Sequence, residues 1–318
     1  MKKQILAPSI LALFVASAAH AGATFDTAAG SLYLGGDVEF DMVSETDSNF
    51  KQDGRLLIDI HGEHALENGN FAAFKVNPVI TPETGTVSAD DVWFQFGAAN
   101  NWDLKVGHFE ASDLSSAGQD TIVVSAGAAT MYRASEARGR TGDEFDGQVT
   151  FTKSLTDSTS FELTAQSQDE GDYVIARPVI TYSADAVSFA VGAELPVVDQ
   201  ADENDWMGFG ATTTIQATDA LAVTLRAAYA SSDDEDADSM TAGIGAQYAN
   251  AYVAVLYGED GDSLDAEEIQ VYASYKIPAV MDIDNFDVYL GAAYSEGEEN
   301  GVDADDVFGA KIRLKYIF

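Results

Sequence analysis

Segments of about ten residues in which apolar and polar side chains alternate recur sixteen times along this chain. A period of two is typical of β-strands, because successive side chains of a strand point to opposite faces. None of the segments carries an apolar stripe with helical spacing longer than two turns, so the pattern predicts an all-β protein. The predicted strands are 31–42, 55–66, 70–80, 90–97, 102–109, 145–153, 160–167, 172–183, 186–195, 206–217, 221–230, 239–249, 251–259, 267–277, 286–296 and 306–318.

The connections between these segments are of two kinds that alternate along the chain. Short turns lie at 67–70, 98–101, 155–159, 184–185, 218–220 and 250, and longer, acidic connections lie at 43–54, 81–89, 196–205, 231–238, 260–266 and 297–305. Short turns at one end and long loops at the other are typical of transmembrane antiparallel β-barrels. The connection at 278–285 is longer than the other members of its class.

The two faces of the strands support the same interpretation. In the second segment Leu56, Ile58 and Ile60 share one face, while Arg55 and Asp59 lie on the other. A lumen enclosed by sixteen strands is too wide for side chains to fill. The polar face is therefore expected to line water and the apolar face to contact lipid. A fourteen-stranded barrel is the alternative if weak segments such as 70–80 and 90–97 are not strands.

The first 21 residues predict a cleaved signal peptide. Lys2 and Lys3 precede an apolar run, and the segment closes on the small residues Ala19 and Ala21. We therefore expect an exported chain whose single domain spans 22–318. Without residues 1–21, 14 basic residues face 53 acidic ones, a net charge of −39, which argues against nucleic acid as a partner. The chain has no cysteine, and so no thiolate chemistry.

In the C-terminal sequence KIRLKYIF, the end of the last predicted strand, basic and apolar residues alternate, with Tyr316 and Phe318 on the apolar face. Together with the leader, the even number of strands and the acidic loops, it resembles the Gram-negative general-diffusion porins of the sixteen-stranded type. The resemblance implies an outer-membrane channel for small hydrophilic solutes and ions, without a cofactor or a metal. It further implies contact with outer-membrane lipid, a homotrimer, and recognition of Tyr316 and Phe318 by the outer-membrane assembly machinery.

Residues 110–144 form by far the longest connection, between the predicted fifth and sixth strands. In the porins that this chain resembles, the corresponding loop folds into the barrel and constricts the pore. We expect the same of 110–144, because its run TIVVSAGAATMY is too apolar for an external loop; an external loop remains the alternative. Its charged candidates are Arg133, Glu136, Arg138 and Arg140.

Basic residues of the strands fall by alternation on the polar face. These candidate pore-lining residues are Arg55, Lys75, Lys105, Arg177, Arg226, Lys276, Lys311, Arg313 and Lys315, with the acidic Asp59 beside them. Because charge is costly in lipid, this placement alone does not indicate a function. Basic wall residues opposite loop carboxylates would set a transverse field across a constriction. The sign of the ion selectivity is left open.

Three other functions compete with the general-diffusion pore. A sugar-selective channel would use an aromatic track, for which Tyr33, Trp93, Tyr173, Tyr272 and Tyr289 have the required parity. A hydrolase would need a catalytic group, and His61 between Asp59 and Glu63 is the candidate, but the sequence favours a non-enzyme. Calcium binding by 233–239 or 259–268 is less favoured, because neither follows the spacing of an EF-hand loop.

Overall fold

The computed structural model describes residues 22–318, except 47, 49, 116–117, 120–121, 127–128, 130, 140–144, 169–172, 200–205, 233–237 and 261–264. The predicted leader at 1–21 lies outside the described residues. The strands are β1 (Ala23–Thr27), β2 (Gly30–Glu45), β3 (Lys51–Ala65), β4 (Asn70–Ile80), β5 (Val87–Ala98), β6 (Trp102–His108), β7 (Phe145–Thr156), β8 (Thr159–Gln168), β9 (Tyr173–Ala184), β10 (Val187–Asp199), β11 (Trp206–Thr218), β12 (Leu221–Ser232), β13 (Ser239–Tyr248), β14 (Ala251–Asp260), β15 (Ala266–Ile277), β16 (Phe286–Glu299), β17 (Val302–Asp303) and β18 (Val307–Ile317). A 3-10 turn spans Val280–Asp282.

Sixteen of these strands form a closed antiparallel barrel. Each strand from β2 to β16 pairs with the next one, and β18 pairs with both β16 and β2. The predicted strand number of sixteen is therefore confirmed, and the fourteen-stranded alternative is wrong. At the junction Arg313 of β18 lies opposite Asp41 of β2, and Glu39 of β2 lies opposite Arg55 of β3. This register places charged side chains of three strands side by side.

The barrel is apolar outside and polar inside. In β5, Phe94 is 47% exposed while its neighbour Gln95 is 3% exposed. In β12, Leu225 is exposed while Arg226 is buried. The exposed apolar rows are suited to lipid and the polar rows face the enclosed space, as the alternation predicted. Among the described residues, no helix has the length and apolar character needed to span a membrane.

The strands differ from the predicted ones mainly at their ends. β4 has the predicted limits, but β3 begins at Lys51 instead of residue 55, and β10 continues to Asp199 instead of 195. These extensions lie at the end with the long connections. There the hydrogen-bonded ladder continues beyond the apolar belt, because pairing needs backbone groups rather than apolar side chains. The five-residue β1 was not predicted; it pairs with the first residues of β2.

Candidate pore interior

The described residues of the 110–144 connection, which joins β6 to β7, pack against the polar face of the barrel wall. Leu114, Ala134 and Ala137 are at most 1% exposed. Leu114, Tyr132 and Ala134 form one apolar cluster with Val179, Ala190 and Ala228 of the wall. Ile122 and Val124 form a second cluster with Val43, Tyr252, Ala254, Leu256, Tyr272 and Ala293. Ile122, Val124 and Tyr132 of the apolar run are therefore buried against the wall.

Three wall glutamates hold this segment in the same way: each accepts one backbone N–H and one hydroxyl from the segment. Glu162 of β8 accepts the N–H and the hydroxyl of Ser112 at 3.0 and 2.9 Å. Glu194 of β10 accepts the Ala137 N–H at 2.8 Å and the Tyr132 hydroxyl at 2.6 Å. Glu268 of β15 accepts the Ala126 N–H at 2.8 Å and the Ser125 hydroxyl at 2.9 Å. The segment is thus fixed at three points around the wall.

Arg177 of β9 completes the contact at Glu194. The guanidinium is fully buried, lies 3.4 Å from the Glu194 carboxylate and donates to the Ala134 carbonyl at 3.1 Å. A second carboxylate, that of Glu162, lies 3.9 Å from it. Arg177, predicted as a pore-lining residue, is therefore covered by the segment. Arg226 is also buried and donates to the Tyr272 hydroxyl at 2.5 Å.

Glycines of the wall make room for the segment. A Cβ atom at Gly210 of β11 would lie 2.5 Å from the Ala134 Cβ, and one at Gly208 would lie 1.6 Å from the Tyr132 hydroxyl oxygen. At Gly297 of β16 a Cβ would lie 2.3 Å from the Ala126 carbonyl oxygen. Any larger residue at these positions would displace the segment.

The junction of β18, β2 and β3 carries a charged cluster, which we call the seam cluster: Asp37, Glu39, Asp41, Arg55, Lys311, Arg313 and Lys315. Arg313 donates to both carboxylate oxygens of Asp41 at 2.7 and 2.6 Å. Lys315 donates to Glu39 at 2.6 Å, and Arg55 lies 3.4 Å from Glu39 and 3.3 Å from Asp37. Lys311 lies 3.9 Å from Asp41. A recess of about 410 Å³ opens on this cluster and is also lined by Asp53.

The other predicted wall residues also have close neighbours. Lys75 lies 3.1 Å from Asp91, and Lys276 lies 2.7 Å from Asp287. Lys105 is held between two aromatic rings, with its ammonium 5.0 Å from the centre of Trp93 and 4.9 Å from that of Phe109. Asp59 lies 3.1 Å from the Nδ1 atom of His61, whose ring stacks on Tyr33.

The segment carries charges of its own. Arg138 lies 2.9 Å from Glu110 and 3.7 Å from Asp113, and its backbone N–H and carbonyl are both hydrogen-bonded within the segment. Glu136 is exposed, but the protein atoms around it displace water and the nearby Glu194 carboxylate repels its charge, so its pKa is raised. Burial and the same carboxylate raise the pKa of the Tyr132 phenol, which stays protonated. Arg140 lies outside the described residues.

The predicted interior residues include its basic side chains but few of its acidic ones. Glu39, Asp41, Glu162, Glu194 and Glu268 all lie on the polar parity, so the same alternation could have found them. The glycines at 208, 210 and 297 share this parity. In the part of the chain that the structure describes, no group of three or more His, Asp or Glu side chains is arranged to hold a metal ion.

At the C-terminal edge, Tyr316 and Phe318 lie on the exposed apolar face, and their rings stack with centres 6.4 Å apart. Phe318 is joined to β2 by two backbone hydrogen bonds with Gly36, at 2.9 and 3.0 Å.

Comparison with known proteins gives a family and a fold. The family described as the porin-like glycoporin RafY matches residues 38–318. No curated protein sequence matches the chain. Among solved structures, an anion-selective porin from Comamonas acidovorans is similar with a TM-score of 0.68 and 13% identity, covering 91% of this chain and 100% of that one. A loop-deletion mutant of OmpT, an outer-membrane protein of Vibrio cholerae, has a TM-score of 0.63 and 13% identity at 91% and 100% coverage. A mutant of the Rh. blastica porin has a TM-score of 0.58 and 15% identity at 90% and 100% coverage.

Proposed function

The chain belongs to the porin-like glycoporin RafY family, and on that premise we propose how its channel admits solutes. It is a porin of the outer membrane and forms a water-filled channel through which small hydrophilic solutes and ions diffuse. Our proposal is that residues 110–144 form the constriction of this channel and that the seam cluster faces the segment across the open passage.

The contacts of the three wall glutamates carry the proposal. Glu162 on β8 and Glu194 on β10 are two strands apart, and Glu268 on β15 is seven strands from Glu162, nearly half of the barrel. All three accept hydrogen bonds from one segment. A segment held at such points crosses the enclosed space rather than lying along one strand. Hydrogen bonds to charged groups contribute more than those between neutral ones, about 1.5–3 kcal/mol each. The segment is therefore expected to stay in place while solutes pass.

The charges on the two sides of the passage suggest how polar solutes are oriented. The Arg55 side chain in the seam cluster is 35% exposed, while the Glu39 side chain behind it is 4% exposed. The segment presents Glu136, which is exposed. A positive group on one side and a negative group on the other would form a transverse field that favours polar over apolar solutes.

Single-channel recording in planar bilayers tests the constriction. We expect conductance steps from the purified protein, and larger steps after residues 116–130 are replaced by a short Gly-Ser linker. A folded protein without any conductance would refute the channel, while an unchanged conductance in the linker variant would refute the constriction alone.

A sugar-selective channel is the second candidate, suggested by the word glycoporin in the family description. The interior aromatic residues favour it less. Tyr272 is 1% exposed, Tyr33 is stacked on His61, and Tyr173 accepts a hydrogen bond from Trp206 at 2.5 Å. They are engaged with protein groups instead of forming an open track. Liposome swelling distinguishes the two: a general pore admits sugars in order of size, and a sugar channel favours one oligosaccharide over smaller solutes.

Assembly and partners follow from the resemblance. We propose a homotrimer embedded in outer-membrane lipid, without catalytic activity, whose C-terminal strand is read by the assembly machinery at Tyr316 and Phe318. Replacing Phe318 by Ala is expected to reduce the amount of folded barrel in the outer membrane. Phe308→Ala, at an exposed apolar position of the same strand, is the matched control. Equal loss in both variants would refute a specific role for the terminus.

A further inference from the structure

We propose that this pore prefers cations to anions, because most of its interior cations are paired with carboxylates where they lie, while carboxylates are in excess inside and at one mouth. The inference rests on the proposed pore and adds the class of ion that it favours.

The first step is the pairing of the wall cations. Carboxylates lie within 4.0 Å of Arg55, Lys75, Arg177, Lys276, Arg313 and Lys315. In the seam cluster, four cations share the three carboxylates of Asp37, Glu39 and Asp41. Elsewhere one cation has two carboxylates within 4.0 Å: Glu162 and Glu194 at Arg177, and Glu110 and Asp113 at Arg138. A passing anion therefore meets cations whose attraction is weakened by carboxylates close to them.

The remaining interior cations lie beside neutral groups. Arg226 is buried, lies 5.8 Å from the centre of the Tyr272 ring and donates to the Tyr272 hydroxyl. Within the described part of the chain, no carboxylate lies within 4.0 Å of Lys105 or Arg133. The Lys105 ammonium is screened by the rings of Trp93 and Phe109. Among the described cations of the interior, Arg133 on the segment is thus the one with neither a carboxylate nor an aromatic ring beside it. It is the cation that would attract anions most strongly.

The interior also holds carboxylates that are not paired with a described cation. Asp53, on the wall of the recess, is exposed and accepts a hydrogen bond from the Gly54 N–H at 2.7 Å. Glu63 has the same parity on β3 and is exposed. Neither has a cation within 4.0 Å among the described residues. Glu268 is 1% exposed, and its described donors are neutral groups of Ser125, Ala126 and Gln270 as well as Ser295.

The connections at one mouth of the barrel are acidic in sequence. The strand ends that flank the connections β8–β9, β10–β11, β12–β13, β14–β15 and β16–β18 lie at the same end of the barrel, because the strands alternate in direction. Their sequences at 169–172, 200–205, 233–238, 261–265 and 300–306 hold sixteen acidic residues and no Lys or Arg. A rim of one sign raises the local concentration of counter-ions over about a Debye length, 8–10 Å at physiological salt. Cations are therefore enriched before they reach the passage.

The reversal potential of the purified full chain under a tenfold KCl gradient tests the inference. We expect a permeability ratio of K⁺ to Cl⁻ above about 3 in dilute salt, which decreases at molar KCl as the charges are screened. The double variant D53N/E63Q is expected to lower the ratio about twofold and R133Q to raise it. The control E267Q changes the same charge on the outward face of β15 and should leave the ratio unchanged.

The possible results test the cation preference and the proposed pore separately. A ratio at or below one, or a ratio that D53N/E63Q leaves unchanged, would overturn the cation preference while the conductance itself still supports a pore. The absence of conductance from folded protein would instead refute the proposed pore.

Discussion

The Glu268 carboxylate and the Ala126 backbone N–H lie 2.8 Å apart, although 142 residues separate them in the chain. The same carboxylate accepts from the Ser125 and Ser295 hydroxyls. A buried charge is tolerated when several donors satisfy it. Here the donors belong to the segment and to β16 of the wall, so the hydrogen bonds that stabilise the Glu268 charge also join the segment to the wall.

Replacing Glu268 by Gln should loosen this junction. An amide has a single acceptor oxygen, so at least one of the donors at Ala126 and Ser125 loses its partner, at a cost of about 1–3 kcal/mol. Single-channel recordings should show greater open-channel noise and additional conductance levels. E267Q, one residue away on the outward face, should behave like the wild type. Wild-type noise in E268Q would show that the contact does not hold the segment.

A side chain at Gly210 should push the segment into the passage. Its Cβ would lie 2.5 Å from the Ala134 Cβ and 3.1 Å from the Leu114 Cβ. Overpacking of this kind costs about 1–3 kcal/mol. We expect Gly210→Val to fold, because its strand pairing is unaffected, and to conduct less. In β7, a Cβ at Gly147 would have no atom within 4 Å, so Gly147→Val serves as the control. Equal conductance of the two variants would contradict the close packing.

Arg313 should contribute more to stability than an exposed cation of the barrel. Replacing it by Gln leaves Asp41, at 4% exposure, with Lys311, and Glu39, at 3% exposure, with Lys315 and Arg55. Removing one partner of a buried pair costs about 3–5 kcal/mol, and the remaining cations place this case near the lower value. Lys51 and Glu45 form an exposed pair at 3.9 Å, for which about 0–1 kcal/mol is expected. Urea unfolding in lipid vesicles measures both R313Q and K51Q, and similar midpoints for the two would refute the difference.

The charge of Glu136 should make stability depend on pH. Loss of hydration and the Glu194 charge raise its pKa above the ordinary value of 4.5. The folded protein therefore binds the proton more readily than the unfolded chain does, so stability rises as pH falls from neutral through the raised pKa. E136Q should be more stable than the wild type at pH 7 and should lack this increase. Parallel urea midpoints of the two proteins between pH 7 and pH 4 would contradict the shift.

The sequence predicted the barrel well because its signal is local and repeated. β4 has the predicted limits of 70–80, since alternation and flanking turns mark both ends. β1 was missed because its five residues, ATFDT, are too few to establish a period. Parity also separated the two faces, as the contrast between Leu225 and Arg226 confirms.

The arrangement of the interior could not be predicted in this way. The alternation along the strands indicates that Arg177 and Glu194 point to the same face of the sheet. It does not indicate that the Glu194 carboxylate contacts the Arg177 guanidinium and also accepts the Tyr132 hydroxyl. Those contacts depend on the register between strands and on the path of a segment without a repeating pattern. The carboxylate partners of the basic residues could not be predicted either, because they too depend on the register and on the path of the segment.

The pairing of β18 with β2 has a consequence for biogenesis. Arg313 and Asp41 are 272 residues apart in sequence, so the contact between them is among the least local in the protein. Until β18 arrives, β2 and β16 each present an unpaired edge, and such edges invite association with other chains. Contacts of this kind also form late and slowly. A chain shortened by its last eleven residues would keep both edges open, and every full-length chain passes through the same open stage before the barrel closes.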